Sequence, residues 1–353
     1  MDRYLADLEH EQLLVRRGRR SGLFSMVAVH STVLGPALGG CRLWRYDDAR
    51  AAVRDALRLA RGMTYKSAVA GLPLGGGKGV IMLRADDELP PARRRAALED
   101  FGDTVEALGG AYVTAEDVGT ASRDMEVIAR RTPHVSGRAP RHGGSGDPSP
   151  STALGVEASV LAACERAFGS TSLRGRSVAV IGLGHVGLRV ARLLARRGAD
   201  LLVNDLDASK RPAALALGAR WVSAAEAMRA PVDVLCPCAL GGVLDHETVP
   251  ALQAPVVAGA ANNQLASDEV AALLVERGVL WVPDFVANAG GIVNIAVELE
   301  PGGYDPRRAR ARVREIGDTV RAVLDAADAD GLTPLAAATA LAEQRLAPAG
   351  RLS

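Results

Sequence analysis

Two lysines lie in an apolar, glycine-rich segment, where a charged amine is unusual. Lys66 and Lys78 fall within Gly62–Ile81, and the only other lysine of the 353-residue chain is Lys210. Lysine, unlike arginine, can lose its proton, and burial beside a second ammonium favours the neutral amine that acts as a base. The segment therefore predicts a catalytic amine. The alternative is that both ammonium groups reach solvent or pair with acids.

Three glycines directly before Lys78 also suggest a phosphate-binding loop. However, 75–77 do not follow the G-x-x-x-x-G-K-[ST] spacing, and Gly79 stands where that motif has serine or threonine. The sequence therefore disfavours binding of a nucleoside triphosphate at this segment.

A second group of residues has the spacing of a dinucleotide site. Gly182, Gly184 and Gly187 form G-x-G-x-x-G between a predicted buried strand and a predicted helix, 188–197. Glycines at these positions allow a tight turn, close approach of a pyrophosphate and close packing of helix on strand. An ordinary glycine-rich turn is the alternative, but it gives no reason for the acidic residue that closes the next strand.

That acidic residue is Asp205, 23 residues after Gly182. A carboxylate there accepts hydrogen bonds from the adenosine ribose and repels a 2′-phosphate, which predicts NAD rather than NADP as the cofactor. Lys210 and Arg211 follow closely and would offset part of this preference.

The elements that must position these residues divide into two α/β regions. In the first, 24–29 and 79–83 are predicted strands, and Ala52, Ala56 and Ala60 recur at helical spacing. In the second, short apolar strands alternate with helical segments, which predicts a doubly wound parallel sheet of the Rossmann type. These strands are 178–181, 201–203, 232–235, 256–258 and 279–282.

The same patterns predict the domain limits. Residues 1–137 are predicted to form an α/β domain for substrate binding, catalysis and oligomerisation, and 151–330 a doubly wound NAD-binding domain. The segment 138–150 is rich in glycine and proline, which predicts a hinge between them.

Helices are predicted after the last strand. Apolar positions from Val313 to Leu324 predict one face of a long helix. Thr333-Pro334 has the residue types of an N-cap and first helical position, so 331–353 is predicted to hold a C-terminal helix that returns to the first domain.

Composition excludes several classes of function. Lysine plus arginine (42) minus aspartate plus glutamate (41) leaves a net charge of +1, too small for general nucleic-acid binding. Hydrophobic residues make up 48% of a chain in which no window is apolar enough for a membrane span. Four cysteines and six histidines form no clustered ligand set, so we expect no metal. A cytoplasmic protein that binds neither nucleic acid nor membrane is predicted.

Six segments together resemble the glutamate/leucine/phenylalanine/valine dehydrogenase family, and within it the branched-chain and aromatic L-amino acid dehydrogenases. The likeness spans nearly the whole chain. The segments are Ser31–Gly40 (STVLGPALGG), Gly62–Ile81 (GMTYKSAVAGLPLGGGKGVI), Tyr112–Thr120 (YVTAEDVGT), Cys236–Gly242 (CPCALGG), Gly259–Gln264 (GAANNQ) and Pro283–Gly291 (PDFVANAGG). The resemblance implies NAD-dependent, reversible oxidative deamination of an L-amino acid to a 2-oxo acid and ammonia.

The resemblance also implies roles for single residues on the substrate side. Lys66, together with the backbone N–H of Gly40, would hold the substrate carboxylate. Lys78 would be the base that activates water, and Asp117 would exchange a proton with the amino group. Asn262 would lie near the substrate amine.

On the cofactor side, the resemblance implies that NAD is held by the glycine loop, by Asp205 and by residues near the nicotinamide. These residues are Gly182, Gly184, His185, Val186, Gly187, Asp205, Thr152, Asn262 and Asn288. His185 is not expected to act as a catalyst.

The resemblance also places five apolar residues around the substrate side chain: Leu38, Met63, Ala115, Ile292 and Ile295. None offers a partner to the γ-carboxylate of glutamate, which opposes a glutamate dehydrogenase. The leucine and two isoleucines would narrow the pocket and favour valine, leucine or isoleucine. We therefore predict a homo-oligomeric branched-chain L-amino acid dehydrogenase. The alternatives are an enzyme for phenylalanine or another aromatic L-amino acid, and an NAD-binding regulatory protein without activity.

Overall fold

The computed structural model describes residues 9–239 and 241–347, which fold into two compact units. The first unit runs to Asp147 and also contains Ile295–Asp305 and the chain from Ala342; the second contains Pro148–Asn294 and Pro306–Leu341. The sequence predicts one return to the first domain, in 331–353, whereas in these units Ile295–Asp305 also belongs to the first. Residues 1–8, at the start of the first predicted domain, and 348–353, at the end of the C-terminal segment, lie outside the described residues.

A five-stranded mixed sheet forms the centre of the first unit, in the order β1-β2-β4-β3-β5. Strands β4, β3 and β5 run parallel to one another, and β2 is antiparallel to both of its neighbours, β1 and β4. The strands are β1 (Gln12–Arg17), β2 (Phe24–Ser31), β3 (Ala37–Arg45), β4 (Gly75–Leu83) and β5 (Tyr112–Glu116). The helices are α1 (Ala49–Val69), α2 (Pro91–Glu106) and α3 (Ser122–Ile128).

Each face of this sheet buries a separate core. On one face, Ile81 and Tyr112 pack with Phe101 of α2. On the other, the predicted alanine stripe of α1 packs against β2 and β4, which confirms that helix. Because the stripe is made of small side chains, the helix lies very close to the sheet. The Asp48 side chain caps α1 by accepting a hydrogen bond from the Ala51 amide at 2.7 Å.

The glycines of β4 are required by this close packing. A Cβ on Gly76 would overlap the backbone of Thr64 in α1, and one on Gly77 would lie 2.7 Å from the Tyr112 ring. On Gly79, a Cβ would overlap the Phe101 ring. All nine residues of β4 are buried. The run before Lys78 therefore belongs to a central strand and not to a phosphate-binding loop.

The second unit has the predicted doubly wound sheet, whose six strands are all parallel. Their order is β11-β10-β9-β6-β7-β8, so the chain winds outward from β6 in both directions, as in a Rossmann fold. The strands are β6 (Ser177–Ile181), β7 (Asp200–Asn204), β8 (Arg220–Trp221), β9 (Val234–Pro237), β10 (Val256–Val257) and β11 (Leu280–Trp281).

The remaining helices belong mainly to the second unit, although α10 and α13 end within the first. They are α4 (Ser149–Phe168), α5 (Gly187–Arg196), α6 (Arg211–Leu215), α7 (Ala224–Arg229), α8 (Val270–Glu276), α9 (Asp284–Ala287), α10 (Gly290–Glu298), α11 (Pro306–Arg314), α12 (Ile316–Asp330) and α13 (Pro334–Leu346). Short 3-10 turns occur at Pro140–His142, Ala208–Lys210 and Val249–Ala251. Within the described ranges, no helix combines the length and apolarity needed to cross a bilayer.

The prediction of one long helix from Val313 to Leu324 is wrong, because α11 ends at Arg314 and α12 begins at Ile316. The amide of Glu315 turns back to the carbonyl of Arg312, a tighter turn that separates the two helices. The predicted cap at Thr333 is confirmed, since its Oγ1 accepts a hydrogen bond from the Ala336 amide at 3.1 Å.

The predicted hinge segment is held by two carboxylates of the first unit. Glu126 pairs with Arg138 and accepts a hydrogen bond from the Ala139 amide. Glu298 accepts hydrogen bonds from the amides of Gly137 at 3.0 Å and Ser145 at 2.8 Å. The residues up to Asp147 therefore belong to the first unit, and bending within 138–150 stays a prediction.

Gly76→Ala should destabilise the protein, because the new methyl group forces α1 away from β4. We expect the free energy of unfolding to fall by about 2 kcal/mol or more, measured from the urea midpoint at fixed chain concentration. Gly62→Ala is the matched control, since Gly62 is an exposed position of α1 with open space around it. Alanine there should raise the free energy by about 0.5–1 kcal/mol. Similar effects of the two substitutions would contradict this account of the packing.

Candidate functional site

Strand alternation brings several predicted residues to one face of the first sheet. Side chains two positions apart in a strand share a face. Leu38 and Gly40 of β3, Lys78 of β4 and Ala115 of β5 therefore lie on the face covered by α1. Leu38 and Ala115 are buried and supply apolar surface on that face.

Lys78 is an ion-paired lysine in the middle of a buried strand. The residue is only 4% exposed, and its Nζ lies 2.8 Å from Oδ2 of Asp117, which directly follows β5. Between the two strands lies Gly40 of β3, where a Cβ would come 2.7 Å from the Asp117 Cβ. A side chain at this position would displace the carboxylate, so Gly40 makes room for the pair.

Asp117 carries its negative charge between two cations. Burial disfavours the charged carboxylate, but Lys78 and Arg42 outweigh this effect and hold the pKa of Asp117 below its ordinary value. Arg42 Nε lies 2.9 Å from the same Oδ2 atom that binds Lys78. Of the two sequence alternatives for Lys78, the structure has the lysine paired with an acid.

The turn after β5 fixes the backbone of Asp117. Thr120 Oγ1 accepts a hydrogen bond from the Asp117 amide at 2.9 Å and donates one to the carbonyl of Cys41 at 2.8 Å. Sequence reasoning missed Thr120 and Arg42. Arg42 stands two positions after Gly40, but no strand is predicted there from the sequence, so nothing in the sequence indicated that the two residues share a face.

Met63 and Lys66 lie near the C-terminal end of α1, and both are half-buried. Ile292 and Ile295 lie three residues apart on α10 and are 6% and 7% exposed. That spacing puts them on one side of the helix. Ile295 belongs to the first unit and Ile292 to the second.

In the second unit, the loop between β6 and α5 has the geometry that its glycines predict. Gly182 has a φ of +93°, and a Cβ on Gly187 would overlap the carbonyl oxygen of Gly182. Gly184 and His185 are exposed, Val186 is half-buried, and a Cβ on Gly184 would meet nothing within 4 Å. The loop and the start of α5 therefore leave open space where a pyrophosphate can approach the backbone.

Asp205 directly follows β7, and its carboxylate is already hydrogen-bonded within the protein. It accepts from the Leu183 amide of the glycine loop at 2.6 Å and from Lys210 Nζ, which lies 3.0 Å from each oxygen. Burial alone would raise the pKa of Asp205, but hydrogen bonds from the Asp207 and Leu183 amides and from Lys210 hold it below its ordinary value. The carboxylate is thus ionised and suited to accept hydrogen bonds from a ribose.

The polar residues predicted near the nicotinamide also lie in the second unit. Asn288 Nδ2 donates to Asn262 Oδ1 at 2.7 Å and to the Ala260 carbonyl at 3.2 Å. Asn288 Oδ1 is buried and accepts no hydrogen bond from the described part of the chain. Thr152 Oγ1 donates to the Pro148 carbonyl at 3.1 Å, and a Cβ on Gly291 would lie 2.9 Å from that hydroxyl. The orphaned acceptor and the open glycine loop fit a bound dinucleotide.

The cysteines form no disulfide in the described residues. Cys236 and Cys238 lie at the end of β9 with their Sγ atoms 3.7 Å apart. Among residues 9–239 and 241–347, no group of three or more His, Cys, Asp or Glu side chains could hold a metal ion.

The second unit has the strand order, glycine turn and acidic residue of a dinucleotide-binding domain, and the first holds a buried lysine–aspartate pair. Together they define a dinucleotide-dependent oxidoreductase. Residues 12–134 match the Glu/Leu/Phe/Val dehydrogenase dimerisation domain, and 203–352 match the glutamate/leucine/phenylalanine/valine dehydrogenase domain. Residues 157–247 also match the NAD-binding domain of D-isomer-specific 2-hydroxyacid dehydrogenases.

Relatives of known activity cover almost the whole chain. Leucine dehydrogenase of Bacillus cereus is 44% identical over 345 residues, which cover 98% of this chain and 93% of the relative. Valine dehydrogenase of Streptomyces virginiae is 45% identical, covering 96% of this chain and 94% of the relative. The crystal structure of L-tryptophan dehydrogenase from Nostoc punctiforme superposes with a TM-score of 0.84 at 38% identity and covers 98% of both chains. The chain belongs to the Glu/Leu/Phe/Val dehydrogenase family and is an NAD-dependent amino acid oxidoreductase.

Asp117→Asn should destabilise the protein at neutral pH, because it leaves the Lys78 ammonium buried without its anionic partner. We expect a loss of about 2–3 kcal/mol, since the site retains some exposure to water. A carboxyl whose folded pKa is depressed contributes stability above its unfolded pKa and loses it as pH falls through the folded value. The difference in unfolding midpoint between wild type and variant should therefore shrink in acid. A constant difference at all pH values would contradict the assigned ion pair.

Proposed function

We propose that the chain catalyses reversible, NAD-dependent oxidative deamination of branched-chain L-amino acids to 2-oxo acids and ammonia. The observation that carries this proposal is the buried pair of Lys78 and Asp117. It lies on a sheet face whose neighbouring side chains, Leu38 and Ala115, are apolar. The names of the leucine and valine dehydrogenases at 44–45% identity support the same substrate class.

The proposed chemistry divides between three polar side chains of the first unit. Lys66 and the amide of Gly40 would bind the substrate carboxylate and fix the orientation of the Cα–H bond. Lys78 would take a proton from the water that hydrolyses the imino acid, and Asp117 would exchange a proton with the substrate amine. Asp117 is already within hydrogen-bond distance of Lys78, so a proton can pass directly between the two groups.

The cofactor, when bound, supplies the hydride acceptor. Its pyrophosphate would lie at Gly182, Gly184 and Gly187 with His185 and Val186, and its adenosine ribose would bind Asp205. Thr152, Asn262 and Asn288 would hold the nicotinamide end, where the buried Asn288 Oδ1 is available to accept a hydrogen bond.

Substrate selection would rest on apolar side chains. Leu38, Met63, Ala115, Ile292 and Ile295 are the proposed lining, and none carries a charge for a second carboxylate. An aromatic substrate is the second candidate, because L-tryptophan dehydrogenase shares 38% identity and a TM-score of 0.84 with this chain.

NADH formation measured by absorbance with a panel of L-amino acids tests the proposal. We expect kcat/KM for leucine, valine and isoleucine to exceed the values for phenylalanine, tryptophan and glutamate. A preference for the aromatic substrates would favour the second candidate. Binding of NAD without oxidation of any amino acid would indicate the regulatory protein.

We also propose that the chain acts as a homo-oligomer. Residues 12–134 match a domain described as a dimerisation domain. One structural neighbour, at 27% identity, is a hetero-hexameric glutamate dehydrogenase from Thermus thermophilus. The expected cytoplasmic location stays a prediction.

Lys78→Ala should lower kcat by about two to four decades, because the proposed base is lost. NAD affinity should change little, since Lys78 belongs to the unit without the glycine loop. Lys66→Ala is the contrasting variant: losing a charge-assisted hydrogen bond should raise KM for the amino acid by about one to two decades. Turnover close to wild type in Lys78→Ala would eliminate the lysine as the base.

Cofactor discrimination should depend on Asp205 and Lys210 in opposite ways. Asp205→Ser should narrow the preference for NAD over NADP by about tenfold, because a like-charge contact with the 2′-phosphate disappears. Lys210→Met should widen the preference, because an ammonium that competes with the ribose and attracts phosphate is gone. The measurement is the ratio of kcat/KM for the two cofactors. Arg211→Gln should widen the preference less than Lys210→Met, because Arg211 is exposed and water screens its charge. An unchanged ratio in both variants would show that Asp205 does not contact the ribose.

A further inference from the structure

Arg42 and Lys78 bind the same carboxylate oxygen. Arg42 Nε lies 2.9 Å from Asp117 Oδ2, and Lys78 Nζ lies 2.8 Å from it. Two cations on one oxygen each receive less of its negative charge than either would alone. Arg42 therefore weakens the hold of Asp117 on the Lys78 ammonium, and it also stabilises the ionised carboxylate.

The position of Arg42 is fixed from its far side by α1. Arg42 Nη1 lies 2.8 Å from Asp55 Oδ2, which also accepts a hydrogen bond from the Tyr46 hydroxyl at 2.7 Å. Arg58 Nη2 lies 2.9 Å from the other oxygen of Asp55. The side chains of Arg42 and Asp55 are only 21% and 16% exposed, so this link is partly shielded from water. The guanidinium thus spans two carboxylates, a geometry that a lysine cannot provide.

We propose that Arg42 is a positioning residue. It binds the same Asp117 oxygen as Lys78 and so sets the proton affinity of the Lys78–Asp117 pair. The proposal rests on the function proposed above, in which Lys78 must lose its proton before it can take one from water, and Asp117 must exchange a proton with the substrate amine. Arg42 needs no contact with substrate for this role, because it acts through Asp117.

The other ionisable groups around Asp117 do not replace this effect. Burial raises the pKa of the Cys41 thiol and of the Tyr112 phenol, which lie on the opposite side of the sheet, so both stay neutral. Other charged groups on these elements are Glu116 at the end of β5, Asp124 in α3, and six residues of α1: Arg50, Arg54, Asp55, Arg58, Arg61 and Lys66. Asp117 forms its ion pairs with Lys78 and Arg42.

The test is the pH profile of kcat/KM for the preferred amino acid at saturating NAD. Removing a positive charge strengthens proton binding at every neighbouring group, so Arg42→Gln should move the acidic limb to higher pH by about one pH unit. This direction holds whether Lys78 or Asp117 determines the limb. Asp55→Asn removes a negative charge instead and should move the limb to lower pH.

Arg58→Gln is the matched control, because it removes an arginine from Asp55 at a position whose side chain is 58% exposed, where water screens the charge. Its profile should coincide with that of wild type. Arg42→Lys retains the charge but cannot span both carboxylates, so it should move the limb less than Arg42→Gln does. A limb that stays in place in Arg42→Gln, or that moves in the same direction in Arg42→Gln and Asp55→Asn, overturns the proposal.

A second measurement separates this proposal from the proposed function, because it needs no turnover. As the pH is lowered, the unfolding midpoint should begin to fall at a higher pH in Arg42→Gln than in wild type, because Asp117 then protonates more readily. In an Asp117→Asn background the same substitution should have a smaller effect on that decline. Equal effects in both backgrounds would overturn the role of Arg42 even if no amino acid were oxidised.

Discussion

The first unit is organised by the need to keep one ammonium charged inside a sheet. A lysine in the centre of a buried strand is costly unless an anion lies within hydrogen-bond distance. Asp117 meets that requirement for Lys78, and it reaches the lysine only because Gly40 on the intervening strand has no side chain. Thr120 then fixes the turn from which Asp117 projects. Residues from three separate segments of the chain are therefore constrained by one interaction.

Close packing of α1 on this sheet follows from the same arrangement. The helix presents alanines to the sheet, and Gly76 leaves room for its backbone at Thr64. This proximity lets Asp55 of α1 reach Arg42 on β3 and complete the link to Asp117. Larger residues in either element would separate the helix from the sheet and break that link. The glycines and alanines of this unit are thus part of its electrostatic design as well as its core.

The sequence predicts well whatever depends on local spacing. The glycine turn at Gly182, the acidic residue after the second strand and the Thr333 cap are all local patterns, and the structure has each of them. Pairings between non-adjacent strands are different, because they depend on sheet order and register. Asp117 binds both Lys78 and Arg42, and the two units interleave along the chain, but neither feature leaves a periodic signal in a single sequence. The break at Glu315 was also missed, because the apolar spacing continues across it.

The use of lysine in this chain connects the two candidate sites. Of the 42 lysines and arginines only three are lysines, and two of them, Lys78 and Lys210, pair with aspartates at the candidate substrate and cofactor sites respectively. Arginine forms most of the other ion pairs of the described residues, where a permanent charge is sufficient. An ammonium is a compact, strongly hydrated donor that can lose its proton or exchange one oxygen partner for another, whereas a guanidinium stays charged and favours a fixed fork. Lysine is therefore suited to pairs that must open during a reaction cycle, and Arg42 to a link that must persist.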